Sequence, residues 1–326
     1  MSEDRGCDED PLVSVVIPTY DRPEYLERAV RSVAEQTYPA IELVVVDDCS
    51  PVPAAETLNG IDTNEISKVN CIRHDENRGA NAARNSGIRH ATGEFVAFLD
   101  DDDRWLPGKV SRQVRRFESG SSDLGVVTVG SRIVNEDGAQ IGSVQPDLEG
   151  NVLGSLLRGA VVGTFSLLMV RSSTISRAGL PDESFPSWQD REWNLRLAQH
   201  CSFSSIDEIL VERRVGADRR ISDDYERKRD ISYPRLLEKH RQVASRLGHL
   251  TERRFVATLT RTLAFSGLSN GYYRESIKYL LIALAYYPFD SKTYLYLCVA
   301  VGGPITFKPA QRFKQKLSRE SFRELP

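Results

Sequence analysis

Apolar and polar positions along this chain fall into blocks whose lengths alternate between those of strands and those of helices. Leu12 to Ile17 is a short β-branched run ended by Pro18, which predicts a buried strand. A helix is expected from Pro23, because Leu26, Val30 and Val33 recur four and three residues apart. Ile41 to Val46, Val69 to Arg73 and Glu94 to Leu99 predict a second, third and fourth strand. Before the fourth, Asn77-Arg78-Gly79 leads into a helix from Ala82 to Gly87 whose small side chains allow close packing on a sheet. Pro107 opens a helix with Val110, Val114 and Phe117 on one face. Strands are expected over Leu124 to Val129 and Arg132 to Val134, with a hairpin turn at Asn135-Glu136-Asp137-Gly138. Thr164 to Val170, Phe203 to Ile206 and Ile209 to Arg214 read as further strands, and Trp188 to His200 as a helix.

From about Ser222 the pattern turns to helices alone: Tyr233 to Leu247, Glu252 to Ser266, Tyr272 to Tyr286 and Ser291 to Val301, broken at Asn270-Gly271 and Pro288. The last two resemble a single tetratricopeptide-like hairpin. Apolar strands alternating with helices predict an α/β fold, a mostly parallel central sheet with helices on both faces, followed by an all-helical C-terminal extension. The expected division is a disordered lead-in over 1–10, the α/β domain over 11–220, and a helical region with a basic tail over 221–326.

Composition narrows the partners. With 326 residues and 40% hydrophobic content, the chain can bury one large core or two moderate ones. A net charge of −3 gives no global pull towards nucleic acid or anionic lipid. The five cysteines are scattered and without a CxxC pair, which argues for a reducing compartment and against a zinc site. The acidic N-terminus has no apolar core, so no signal peptide is expected, and no apolar run is long enough to span a bilayer. A cytoplasmic location follows. Tyr294 to Val301 is very apolar, and Lys308, Arg312, Lys314, Lys316, Arg319 and Arg323 follow it. That is the pattern of a helix lying peripherally on a membrane surface; a packed helix with a solvated tail is the alternative.

The chemistry gathers behind the strands. Polar residues follow the first, second and fourth directly: Tyr20-Asp21, Asp47-Asp48 and Asp100 to Asp103. Ligands of open α/β sheets bind outside the carboxyl ends of strands, so all three clusters are expected in one crevice. Four adjacent carboxylates repel one another unless a cation relieves them. Hard oxygen ligands suit Mg²⁺ or Mn²⁺; a solvated acidic turn is the plainer reading. In an extended segment Asp100 and Asp102 point to the same side, one binding metal directly and the other through water or ribose. These are requirements of sugar transfer from a nucleotide donor, whose diphosphate leaving group needs a divalent Lewis acid. Asp48 is a candidate acceptor for a uracil N–H, and Asp21 for ribose or base. Arg84 is expected to pair with phosphate or to hold the acidic cluster. A general base is then required. In a helix Asp190 and Glu192 lie about 200° apart and cannot both face the crevice. Glu192 has Arg196 four residues on, which occupies it structurally. Asp190 is therefore the freer carboxylate.

Taken together, IPTYDRPEYL, VVVDDCS, ENRGANAARNSG, FVAFLDDDDRWLPGKV and WQDREWNLRLA resemble family 2 glycosyltransferases of the GT-A fold over about residues 12 to 215. The resemblance implies an inverting transferase that uses a nucleoside-diphosphate sugar, commonly UDP-linked, with Mn²⁺ or Mg²⁺. It matches Asp48 to a base contact, Arg84 to a donor-site arginine, and Asp100 and Asp102 to the ends of the DXD motif. Asp190 matches the second acid of the ED motif, with Gln189 in place of the first. The candidate catalytic residue is thus Asp190. Pro18, Tyr20, Asp21, Asp48, Arg84, Asp100 and Asp101 are the substrate-binding candidates, and Asp102 and Asp100 the metal ligands. The family often adds a metal-binding His; the similar stretch Arg213 to Asp218 has none, and Asp218 is the substitute on offer. The QxxRW motif of processive synthases is absent, so addition of a single sugar to a glycan or lipid-linked acceptor is expected. Rival readings are a catalytically silent sugar-nucleotide-binding scaffold and a nucleotidyltransferase, which would want a Gly-rich phosphate loop after the first strand. A dehydrogenase lacks its GxGxxG. Acids interleave the Arg213 to Arg229 cluster, which argues against nucleic acid.

Overall fold

The computed structural model describes residues 10–215, 224–307 and 309. The Asp218 substitute and all of the basic tail except residue 309 lie outside the described residues, as does most of the N-terminal lead-in.

Four parallel strands form the first half of the sheet: β1 (Val13–Thr19), β2 (Ile41–Asp47), β3 (Lys68–Arg73) and β4 (Phe95–Phe98), in the order β3-β2-β1-β4. Helices α1 (Pro23–Ala34), α2 (Ala54–Leu58) and α3 (Ala80–His90) connect them. Leu26, Val30 and Val33 are buried as their spacing requires, each contributing about 1.5–3 kcal/mol of burial. On α3, a Cβ at Gly87 would sit 2.3 Å from Val16 Cγ1, so only glycine lets this helix approach β1 so closely.

The second half departs from the simple alternation. A short strand β5 (Asp103–Trp105) and α4 (Lys109–Glu118) precede β6 (Leu124–Val134), β7 (Gln140–Val144), β8 (Glu149–Gly150) and α5 (Leu153–Leu157). Then come β9 (Met169–Arg171), α6 (Ser172–Ala178), α7 (Gln189–Leu197) and β10 (Ser202–Arg214). The sheet continues β4-β9-β6-β10-β5, with β6 and β10 parallel and β9 antiparallel between β4 and β6. Three expectations are corrected here. The two strands expected at 124–134 are one, and so are the two at 203–214, because register shifts between Ile206 and Val211 let β10 bend without breaking. The strand expected from Thr164 is mostly a 3₁₀ turn over Phe165–Leu167, and only three residues after it join the sheet.

The helical extension comprises one turn, α8 (Tyr225–Arg227), a π-helical turn (Lys228–Ser232), α9 (Tyr233–Arg246), α10 (His249–Ser269), α11 (Tyr273–Tyr286) and α12 (Ser291–Val301). Leu236, Ala244, Phe255, Val256 and Leu259 from α9 and α10 share one core with Phe98, Phe185 and Trp193 of the α/β part. The extension is packed against the α/β part. No described helix is long and apolar enough to cross a membrane.

Candidate active site

The carboxyl ends of β1, β2 and β4 open on one cleft of about 410 Å³. Its lining includes Pro18, Tyr20, Asp48, Arg84, Asp100, Asp101, Asp102 and Asp190, so eight of the nine candidates meet there. Asp21 does not line it; it is exposed beside Tyr20, with its backbone N–H donating to Ser50 Oγ (2.9 Å). Among the described residues, three that are not glycine hold left-handed backbone, Asp21, Cys49 and Trp188 (φ 53°, 70° and 58°), and each lies in or beside the cleft. Such conformations cost on the order of 1–3 kcal/mol and persist where the surroundings impose them.

The acid run is a turn rather than an extended segment. The Asp103 N–H donates to the Asp100 carbonyl (3.0 Å), which closes the turn and aims the four side chains differently. Asp100 Oδ1 accepts from Arg84 Nη2 (2.5 Å). Asp101 is buried, accepts from Thr19 Oγ1 (2.8 Å) and lies 3.4 Å from Arg22 Nη1. Burial pushes its carboxyl up to about 6, against the pull of Arg22. Asp102 is the more exposed, 3.6 Å from Arg22 Nη1. Asp103 turns inward as the first residue of β5, and burial beside Asp102 and Asp100 pushes its carboxyl up. The same-side argument for Asp100 and Asp102 fails, although both still line the cleft.

Arg84 holds the acidic cluster, the second of its two expected roles. Its guanidinium is buried, lies 4.1 Å over the Phe165 ring, and reaches Asn81 Oδ1 and Gln189 Oε1 as well as Asp100. Asp48 is taken up by local structure: Oδ1 meets His74 Nδ1 (2.7 Å) and the Arg78 N–H, and Oδ2 accepts the Gly79 N–H (2.7 Å). A carboxylate offers about four lone-pair sites, so these three leave one at Oδ2 for a ligand. Gly79, at φ 89°, is where the chain turns to bring that N–H in.

Asp190 and Glu192 separate as their spacing requires. Asp190 lines the cleft at the second position of α7, and its Oδ1 accepts the Arg191 N–H (2.8 Å). Burial raises its pKa, countered by that N–H, Arg84 and Arg213. Glu192 is fully buried on the far side. Arg196 grips it through two 2.8 Å hydrogen bonds, and Lys239 of α9 adds a third at 3.1 Å.

Sequence reasoning missed the cations. Arg22, Arg213 and Arg214 all line the cleft. Arg213 pairs in register with Asp103 across β10 and β5; its Nε is buried, makes no hydrogen bond and lies 3.9 Å from the Asp103 carboxylate. The signal was present, since Arg213-Arg214 closes an apolar strand just as the acids do. Among the described residues no three His, Cys, Asp or Glu side chains form a metal-binding group. Asp100 and Asp102 still fit a Mg²⁺-type ion, which takes one or two carboxylates and completes its shell with water and substrate phosphate.

Residues 14–172 match the model of the family described as glycosyl transferase family 2. That stretch, just under half of the chain, is a family 2 glycosyltransferase domain. It is 30% identical over 164 residues to the putative teichuronic acid biosynthesis glycosyltransferase TuaG of Bacillus subtilis (strain 168), over 50% of this chain and 64% of that protein. It is 35% identical over 108 residues to the UDP-Glc:alpha-D-GlcNAc-diphosphoundecaprenol beta-1,3-glucosyltransferase WfaP of Escherichia coli, over 33% and 42% of the two chains. The chain thus spans less than two thirds of the length of either relative. Among solved structures, S. aureus TarS 1-349 in complex with UDP-GlcNAc superposes with a TM-score of 0.62 at 19% identity, over 96% of this chain and 92% of that one. The mannosyltransferase PcManGT from Pyrobaculum calidifontis, in complex with GDP-Man and Mn2+, gives 0.55 at 18%, over 90% and 85%. The fold is GT-A.

Proposed function

We propose that the protein moves a single sugar from a nucleoside-diphosphate sugar, UDP-linked by preference, to a hydroxyl of a glycan or lipid-linked acceptor, with inversion. The observation that carries this reading is the convergence of Asp48, Arg84, Asp100, Asp102 and Asp190 on one cleft from segments far apart in the chain. The UDP-GlcNAc and GDP-Man bound to structures of the same fold, and the UDP-sugar in the name of WfaP, support the donor class.

In this reading the free lone pair of Asp48 Oδ2 accepts a base N–H, and Tyr20 and Pro18 flank the nucleoside. Arg213 and Arg214 face the diphosphate, where guanidinium groups match phosphate oxygens bidentately. Asp102 and Asp100 would hold a Mn²⁺ or Mg²⁺ ion, which would supply Lewis acidity to a diphosphate leaving group. Asp190 takes the acceptor hydroxyl proton on Oδ2, because Oδ1 is committed to the Arg191 N–H. The acceptor oxygen then attacks the anomeric carbon as the bond to the diphosphate oxygen breaks on the opposite face, which inverts the centre. One carboxylate suffices, since the donor already carries a good leaving group. The raised pKa of Asp190 makes it a stronger base than an ordinary carboxylate.

The test is Asp190→Asn beside Asp102→Asn, assayed for release of the matching nucleoside diphosphate from a panel of UDP-, GDP- and dTDP-sugars with Mn²⁺. Loss of general-base catalysis is worth about 10²–10⁴-fold in rate, with thermal unfolding nearly unchanged. Full activity in Asp190→Asn overturns the assignment. Donor binding without any release by the unaltered protein marks a silent binding protein instead.

A further inference from the structure

The outward faces of α11 and α12 combine apolar side chains with positive charge. On α11 the exposed positions include Arg274, Lys278, Leu281 and Ala285, spaced four, three and four residues apart along one stripe. On α12 a second stripe holds Tyr294, Leu295, Cys298 and Val301, and beyond it Ile305 is 83% exposed. Phe289, in the turn joining the helices, is 82% exposed. The inward positions are already used: Leu280 and Ala300 pack with Ala264, Leu268 and Phe307.

The charges on this surface are one-sided. Over residues 273–307 the exposed charged residues are Arg274, Lys278 and Lys292, all cationic. The two acids of the stretch, Glu275 and Asp290, are half-buried and paired with Arg229 and Arg261. The sequence over 308–326 adds six Lys or Arg against two Glu.

We propose that the outer face of α11 and α12 docks on an anionic lipid surface. Aromatic and aliphatic side chains flanked by cations fit the headgroup boundary, where the apolar groups leave water and the cations meet lipid phosphate. A second copy of this chain fits the face poorly. Packing it against itself in a two-fold dimer would set Arg274, Lys278 and Lys292 against the same cations, with no exposed acid in the stretch to answer them.

Flotation of the full chain with vesicles tests this, phosphatidylcholine alone against phosphatidylcholine containing phosphatidylglycerol. The protein is expected to float with the anionic vesicles only, less so as salt rises. Leu295→Glu combined with Val301→Glu is expected to weaken that binding about tenfold or more. Lys278→Glu with Lys292→Glu weakens it through charge alone, and both pairs leave the thermal unfolding midpoint unchanged because the positions are exposed. No preference for anionic vesicles overturns the proposal, as does binding that ignores both pairs. A dimer that Leu295→Glu dissociates overturns it too, and makes the face an interface between copies.

Discussion

The two walls of the cleft are held in different ways. On the proposed nucleotide side, Asp48 and Asp100 to Asp103 stand directly after β2 and β4, both hydrogen-bonded to β1 in the parallel sheet, so the backbone ladder aims them. On the opposite side, Gln189 and Asp190 start a helix that lies outside the backbone ladder of the sheet and meets it through side chains, Trp193 packing against Phe98. That segment is clamped by side chains: Asn81 and Asn85 of α3 donate to the Asp182 and Pro181 carbonyls. From the extension, Lys239 ion-pairs with Asp182 and Glu192, and Arg235 donates to the Ser184 carbonyl. A wall set by main-chain hydrogen bonds tolerates change around it. A wall set by side chains from a distant part of the chain does not.

The sharpest way to break this contrast is to cut the chain after residue 220. Five buried residues of α9 and α10 would leave the shared core, at about 1.5–3 kcal/mol each. The sum is on the order of 10 kcal/mol, comparable with the whole stability of a domain. The fragment is expected to lack a cooperative thermal transition. A soluble 1–220 fragment that unfolds like the full chain would show that the extension is an appendage.

Glu192→Gln is the next largest. It leaves Lys239 and Arg196 without their buried anion, which costs about 3 kcal/mol by thermal unfolding. Burial works to raise the Glu192 pKa, but His240, Arg196 and Lys239 outweigh it and hold it at about 2. A depressed carboxyl stabilises the fold above its unfolded value, near 4.5, and that contribution fades as pH falls towards 2. The gap between the variant and the unaltered protein should therefore close over that window. A gap that persists at the acid end contradicts the clamp.

A smaller effect concerns Asp190, the proposed base. Because burial raises the Asp190 pKa, the acid limb of kcat/KM should lie above the ordinary carboxylate range. A limb at the usual aspartate value would remove Asp190 from the role. Last comes Asp101→Asn. The Asp101 carboxyl at about 6 binds a proton that the unfolded chain, near 3.8, has lost. As pH rises from about 4 to about 6 the native protein loses stability through this group, by on the order of 3 kcal/mol. The variant should lack that slope in denaturant titrations across the same window.

Much of the nucleotide side was legible in the sequence. Apolar runs ending in Asp47-Asp48 and Asp100 to Asp103 mark strand ends, and strand ends of a parallel sheet share an edge. The pairing of Glu192 with Arg196 was legible too, because helix periodicity and the i,i+4 arginine are local facts; that Glu192 is buried was not. The turn at Asp100 to Asp103 was not. Four acids in a row carry no signal for where the chain bends, and the bend depends on β5 pairing with β10 more than a hundred residues later. The continuity of β6 and β10 stayed hidden for a related reason: Gly130 and Asp207-Glu208 look like breaks, yet neighbouring strands hold the chain extended through them.

Residue order alone therefore determined the α/β class, the strand-end acids, the helical extension and the separation of Asp190 from Glu192. All of these follow from periodicities of two or 3.6 residues and from neighbours within one turn. Tertiary structure decided which way each carboxylate of the acid run points, that Arg84 is spent on Asp100, that Arg213 reaches the cleft, and that α9 holds α7 through Lys239 and Glu192. Those depend on contacts between residues up to a hundred or more positions apart, and only the packed chain brings such groups within a hydrogen bond of one another.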